Sequence, residues 1–280
     1  RHRRREESGQ ERDFFLLDHA SRGSERRSRG SRMRMDHEFD FAPENAPLGT
    51  NLAGMFLARQ GIRVRSLHGT HIPRHEVGGD YYDFIPLGNN EFIMCIGDVS
   101  GKGIGAAMLM ANFQATLRTL FIYQRYDLEF LVTELNEKVM KSAKGEKFIT
   151  FFIAHFNAET RLLKYVNAGH NHPILTTGKE VTMLKDGTIG LGMLDELPFI
   201  NIGEVTLKPN TTLISYTDGV VELENREETQ FGLERLIKTV HSFYPLSMED
   251  MNNLIFSKLD EWRGELPLVD DTAVFACRFF

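Results

Sequence analysis

The chain has 280 residues, 41% of them hydrophobic and 26% charged, and a net charge of −6. That is a globular composition, with enough length for one large domain or two small ones. Residues 1–35 hold 11 arginines and 6 acids, so the remaining 22 basic and 33 acidic residues make the rest acidic, which argues against a nucleic-acid-binding surface and suits a site that gathers cations. No apolar run reaches the roughly 18–20 residues that span a membrane. The charged N-terminus lacks the apolar stretch of a secretory signal, so a cytoplasmic location is expected. The two cysteines, Cys95 and Cys277, lie in apolar runs. They read as buried free thiols, too few to build a zinc site.

Residues 1–45 read as a disordered basic tail, or as residues foreign to the protein, with Met33 and Met35 as candidate native starts. Residues 46–61 read as a connector, in which Leu52, Met55 and Phe56 fall on one face of a short helix. The folded domain is expected over 62–280. Ile62–Ile72 and Tyr81–Leu87 read as strands, and Gly88-Asn89-Asn90 as the hairpin turn into Glu91–Gly97. Ala106–Tyr123 and Leu128–Lys141 read as helices. Phe148–Phe156, Arg161–Val166, Ile174–Thr176, Glu180–Leu184, Ile200–Leu207 and Thr211–Tyr216 follow as strands, with a glycine-rich loop over 186–198. Phe231–Phe243 and Met248–Trp262 read as helices, and Asp270–Phe280 as a last strand. This order is not an alternating βαβ pattern. It predicts an α+β fold, an α/β sandwich of antiparallel sheets with helices packed outside.

The stretch Gly97-Asp98-Val99-Ser100-Gly101-Lys102-Gly103-Ile104-Gly105 is the most informative. An acid ends an apolar strand, and glycines turn the backbone before a helix, so carboxylate and carbonyl oxygens can point at one spot. The glycines fit neither a Walker A loop, since Gly103 follows Lys102, nor a dinucleotide fingerprint, whose third glycine would come one residue later. Three more places in the chain share this setting. Asp80 follows Gly78-Gly79, Asp218 precedes Gly219, and Asp270-Asp271 precedes the run Ala273–Ala276. Carboxylates gathered together repel and hold protons unless a cation intervenes. All-oxygen ligands select Mg²⁺ or Mn²⁺.

Five motifs occur in order: Gly78-Gly79-Asp80-Tyr81-Tyr82-Asp83, Gly97-Asp98-Val99-Ser100-Gly101-Lys102-Gly103, Asn167-Ala168-Gly169-His170, Tyr216-Thr217-Asp218-Gly219-Val220 and Asp270-Asp271-Thr272. The series resembles the bacterial PPM/PP2C-type serine/threonine phosphatases of the SpoIIE and RsbU branch, over about residues 60–280. The resemblance implies a PP2C-like sandwich of two central antiparallel sheets flanked by helix pairs, with two Mn²⁺ or Mg²⁺ ions at one end. It implies that Asp98 bridges both ions, that the Val99 carbonyl completes one, that Asp218 and Asp271 bind the other, and that Asp80 is a nearby ligand or supporting acid. Asp83 would cap or orient its strand, and Asp270 would point away. Lys102 and His170 are candidates for meeting the phosphate and for protonating the leaving group; a solvated lysine and a turn-bonding histidine are the plainer readings. The resemblance further implies a phosphorylated STAS-type anti-sigma-factor antagonist as substrate, in a partner-switching pathway, and leaves a homodimer as an option. Two other functions fit the sequence: a pseudophosphatase binding module, which the intact acids oppose, and a hydrolase of small phosphoesters.

Overall fold

In the computed structural model, residues 64–74, 77–122 and 127–280 are described. The tail over 1–45 and the connector over 46–61 lie outside them. The elements are β1 (Val64–Ile72), β2 (Tyr81–Gly88), β3 (Glu91–Val99), α1 (Ile104–Ile122), α2 (Leu128–Ala143), β4 (Ile149–Asn157), β5 (Leu162–Ala168), β6 (Ile174–Thr176), β7 (Val181–Met183), β8 (Gly187–Thr188), β9 (Gly203–Thr206), β10 (Thr211–Tyr216), α3 (Asp218–Val221), α4 (Gly232–Phe243), α5 (Met248–Arg263) and β11 (Thr272–Phe279). One sheet has the order β1-β11-β10-β6-β7 and the other β2-β3-β4-β5-β8, with β9 also paired to β5.

The order of layers follows from side-chain alternation. Strands buried on both faces read as continuous apolar runs, and β3 is such a strand. Phe92, Met94 and Ile96 join a cluster with Phe152, Phe156, Leu213, Phe275 and Phe279, between the two sheets. The alternate residues Ile93, Cys95 and Val99 join a cluster with Phe113, Leu117, Leu131 and Leu135 of α1 and α2. On the other sheet, Val274 and Ala276 of β11 and Ile214 and Tyr216 of β10 turn away from that middle layer, toward Leu236, Val240, Met251 and Ile255 of α4 and α5. Helix pair, sheet, sheet and helix pair therefore stack in that order. The helices are stopped locally. Asp127 caps α2 by accepting from Phe130 N at 2.7 Å, and Ser247 caps α5 by accepting from Asp250 N at 3.0 Å.

Two expectations change in detail. The expected strand ending at Gly97 instead runs on to Val99, because Asp98 and Val99 still pair with Thr150 and Ile149 of β4. Gly97 is tolerated there because the ring of Phe151 and the Thr150 carbonyl each come within 3.0 Å of where its Cβ would be. The second sheet is also not wholly antiparallel. β8, within the expected loop, pairs in parallel with β5 through Asn167 and Ala168.

The middle layer is aromatic at its centre. Phe92 lies 4.7 Å from Phe84, 5.3 Å from Phe156 and 6.3 Å from Phe279, ring centre to ring centre. Phe92→Ala should therefore lower the stability of the fold by about 3–5 kcal/mol, the usual cost of emptying a buried aromatic site, read from the midpoint and slope of a urea unfolding curve.

Candidate metal centre

The same alternation that builds the middle layer delivers the acids to one end of it. Asp98 has the parity of Phe92, Met94 and Ile96 on β3. Asp80 continues the parity of Tyr82 and Phe84 on β2, and Asp271 that of Ala273 and Phe275 on β11. All three thus continue the inward-facing rows past the point where apolar packing ends. Asp218 arrives differently. β10 ends at Tyr216, and Asp218 opens the short helix α3.

The backbone holds these acids close together. Thr217 is fully buried; its hydroxyl donates to Asp80 Oδ2 at 2.8 Å and accepts from Ala273 N at 2.9 Å. Both oxygens of Asp271 accept main-chain hydrogen bonds, Oδ2 from Gly79 N at 2.8 Å and Oδ1 from Arg74 N at 2.7 Å. Glycine is required where chains meet. A Cβ on Gly78 would lie 2.3 Å from Asp271 Oδ2, and one on Gly219 would lie 2.0 Å from the Asp271 carbonyl. At Gly79 the neighbours are the Val99 carbonyl, 3.2 Å from an added Cβ, and Asp98 Oδ1, 3.4 Å from it. The Val99 carbonyl and the Asp98 carboxylate thus face the same notch.

Charge is poorly compensated here. Burial, and next the charge of Asp218, push the Asp98 carboxyl up to about 7, against a partial downward pull from its hydrogen bond with Asp80. Burial, and next Asp98, push Asp80 well above the usual carboxylate range. Asp218 is raised by burial, then by Asp270 and Glu222. Lys102, whose charge pulls Asp218 partly back down, is itself paired 2.7 Å from Asp270 Oδ2 and 2.7 Å from the Val269 carbonyl. Among the described residues no three His, Cys, Asp or Glu side chains stand close enough together to hold a metal ion as they are placed. The donor set nonetheless fits hard divalent ions: several carboxylates and one carbonyl, all oxygen, with a deficit of positive charge that raised proton affinities record.

The remaining candidates fall outside this cluster or on its edge. Asp83 is held by Arg118 of α1 in a two-pronged ion pair, Nε to Oδ2 at 2.8 Å and Nη2 to Oδ1 at 2.7 Å, and by the hydroxyl of Tyr81. It orients β2 against α1. His170 is buried and pushed down to about 3 by that burial, so its ring is neutral. Its Nδ1 lies 2.9 Å from Thr150 Oγ1, and its main-chain N–H donates to Asn167 Oδ1 at 2.8 Å. A neutral ring of this kind does not protonate a leaving group, which favours the plainer reading of His170. Both cysteines are buried, with thiols pushed up by that burial, so neither is a nucleophile. Sequence reasoning passed over Thr217 and Arg74. Thr217 stood inside a quoted motif, but its role needs β10 and β11 side by side. The Arg74 contact comes from its backbone N–H, which any residue type would offer.

Residues 88–280 match the sequence profile of the family described as Stage II sporulation protein E (SpoIIE). Among curated relatives, Protein IcfG of Synechocystis sp. is 26% identical over 74% of this chain and 37% of its own length. Phosphoserine phosphatase RsbU of Bacillus subtilis is 28% identical over 74% of this chain and 61% of its own length. The chain thus spans less than two thirds of either. Among solved structures, the SiaA-PP2C domain of Pseudomonas aeruginosa superposes with a TM-score of 0.70 at 21% identity, covering 81% of this chain and 89% of that one. The fold is that of the PP2C domain, as the motif series implied.

Because Asp98 keeps its proton up to about pH 7 in the fold but only to about 3.8 when free of it, the folded form binds more protons between those values, and stability falls as pH rises through them. In chelator, the melting temperature should drop from pH 4 toward pH 7.5, and Asp98→Asn should flatten that slope. Mn²⁺ added at pH 7.5 should raise the melting temperature of the parent more than that of the variant. A thermal-melt series across pH, with and without Mn²⁺, reads all three.

Proposed function

The chain belongs to the SpoIIE family of PP2C-type serine phosphatases, and on that footing we propose that it removes phosphate from phosphoserine or phosphothreonine on a protein. The observation that carries the reading is the group of buried and half-buried, mutually repelling acids at one end of the sandwich, in the order and setting of the five motifs. Asp98, Asp218, Asp271 and the Val99 carbonyl would hold two Mn²⁺ or Mg²⁺ ions, with Asp80 as a further ligand or as their support. Such ions supply Lewis acidity and a water activated near neutral pH.

The protein's own part is positioning. Thr217 fixes the Asp80 carboxylate and ties it to β11 through Ala273 N. The Gly79 and Arg74 N–H groups set the plane of Asp271. Gly219 lets the start of α3 lie against Asp271, so that Asp218 faces the other acids. Among the described residues the buried cysteines and the neutral His170 are poorly suited to act as nucleophile or acid, which suits direct attack by water on phosphorus without a phosphoenzyme.

The likeness to RsbU supports a small phosphorylated STAS-type anti-sigma-factor antagonist as substrate, whose dephosphorylation would release a sigma factor from its anti-sigma partner. No helix among the described residues is long and apolar enough to cross a membrane, and a cytoplasmic site of action suits such a substrate.

Mn²⁺-dependent hydrolysis of an aryl phosphate is the direct test. Asp98→Ala should reduce turnover by more than the roughly 10–100-fold that loss of a supporting partner costs at metal sites. Thr217→Val, which removes the hydrogen bond to Asp80 but keeps the side-chain shape, should fall within that roughly 10–100-fold range. Turnover that survives Asp98→Ala would sink the site assignment.

A further inference from the structure

Beside the acid cluster lies a cavity of about 580 Å³, with His170, His172, Lys185, Tyr216, Glu222 and Leu233 in its wall. Two links tie it to the acids. Tyr216 and Glu222 bracket Asp218 in the chain, and the Glu222 carboxylate is near enough to act on Asp218. From the other side, His170 is bonded to Thr150, which is the cross-strand partner of Asp98. A phosphoester seated on the acids would have this cavity at its flank. Its volume is that of a ligand site and far exceeds one phosphoryl group.

The wall is polar, and two of its features, the start of α4 and Lys185, favour an anionic occupant. His170 is 4% exposed and lines the cavity; its Nε2 is buried with no hydrogen bond of ordinary geometry, and the Tyr216 main chain is the polar group acting on the ring. Helix α4 has twelve residues and opens at Phe231 without a side-chain cap, so its first N–H groups and the positive end of its dipole lack an acceptor from that position. The one acid in that first turn, Glu234, is exposed. Lys185 is exposed and makes no ion pair among the described residues. Its charge acts on His172, which burial and Lys185 together hold below the usual histidine range. Charges in the wall are thus segregated: Glu222 acts on Asp218, and Lys185 stands with a neutral His172.

We propose that this cavity is the subsite for the polypeptide flanking the phosphoserine, and that Lys185 with the uncapped start of α4 selects an acidic side chain there. The inference rests on the phosphoprotein phosphatase reading and adds what the substrate must present beside its phosphate. The test compares kcat/KM, with Mn²⁺ and the full chain, for an aryl phosphate and two phosphoserine peptides, one flanked by glutamates and one by glutamines. The parent should favour the glutamate peptide by roughly five-fold, the size of one partly exposed charge pair, through KM. Lys185→Ala should bring that ratio to about one, and Lys185→Glu should invert it. A parent ratio of one, or a ratio unchanged in both variants, would overturn the subsite. Hydrolysis of the aryl phosphate but of neither peptide would overturn it too and leave a small-phosphoester hydrolase. Failure to hydrolyse any of the three would overturn the phosphatase reading itself, and the subsite with it.

Discussion

Carboxylates drawn out of water near one another raise each other's proton affinity, and at one end of this sandwich the buried Asp80 and the half-buried Asp98 and Asp218 are held in that condition. The fold keeps them there with main-chain and hydroxyl donors, and with Lys102 engaged by Asp270. N–H and hydroxyl dipoles orient a carboxylate without neutralising it, so the cluster retains a net demand for positive charge. Much else in the molecule follows from the need to hold that arrangement still. Two sheets buried on both faces give four strand ends a common rigid frame, and close-packed aromatic rings leave those strands little freedom to slide.

The use of parity is economical. Along β3, one row of side chains is apolar as far as Ile96 and then becomes Asp98. The same change from core to site occurs where β2 and β11 begin. One alternation therefore serves first as packing and then as chemistry, and the acids inherit their direction from the strands that carry them. Glycines occur where two such chains must touch. Gly78 and Gly219 both lie against Asp271, one at its side chain and one at its backbone.

The neighbouring cavity extends this logic to recognition. A phosphoester needs only the acids and what they hold, and a protein substrate needs somewhere for the rest of its chain to lie. The wall formed by the turn after β5, the turn after β7 and the start of α4 supplies it, joined to the acids through Thr150 and through α3. Because α4 also packs on the outer face of its sheet through Leu236 and Val240, the recognition surface rests on the same core as the chemistry.

The sequence by itself determined the long strands and helices of the described region and the layer class, though not the short β8 and α3. Alternation and run length report how each segment is buried, and a segment such as Phe92–Ile96 has little choice. It also singled out the four acids, since glycine-flanked carboxylates at strand ends are few. Some features depended on tertiary structure alone. The parallel pairing of β8 depends on which edge β5 leaves open. Thr217 matters because β10 lies beside β11, so that its hydroxyl meets both Asp80 and Ala273 N. Asp83 went to Arg118 because a helix packs over β2, and His170 became neutral because burial removed its water. Each of these is a contact between residues far apart in the chain, and their strength depends on distance and desolvation, quantities that a linear order of residues does not contain.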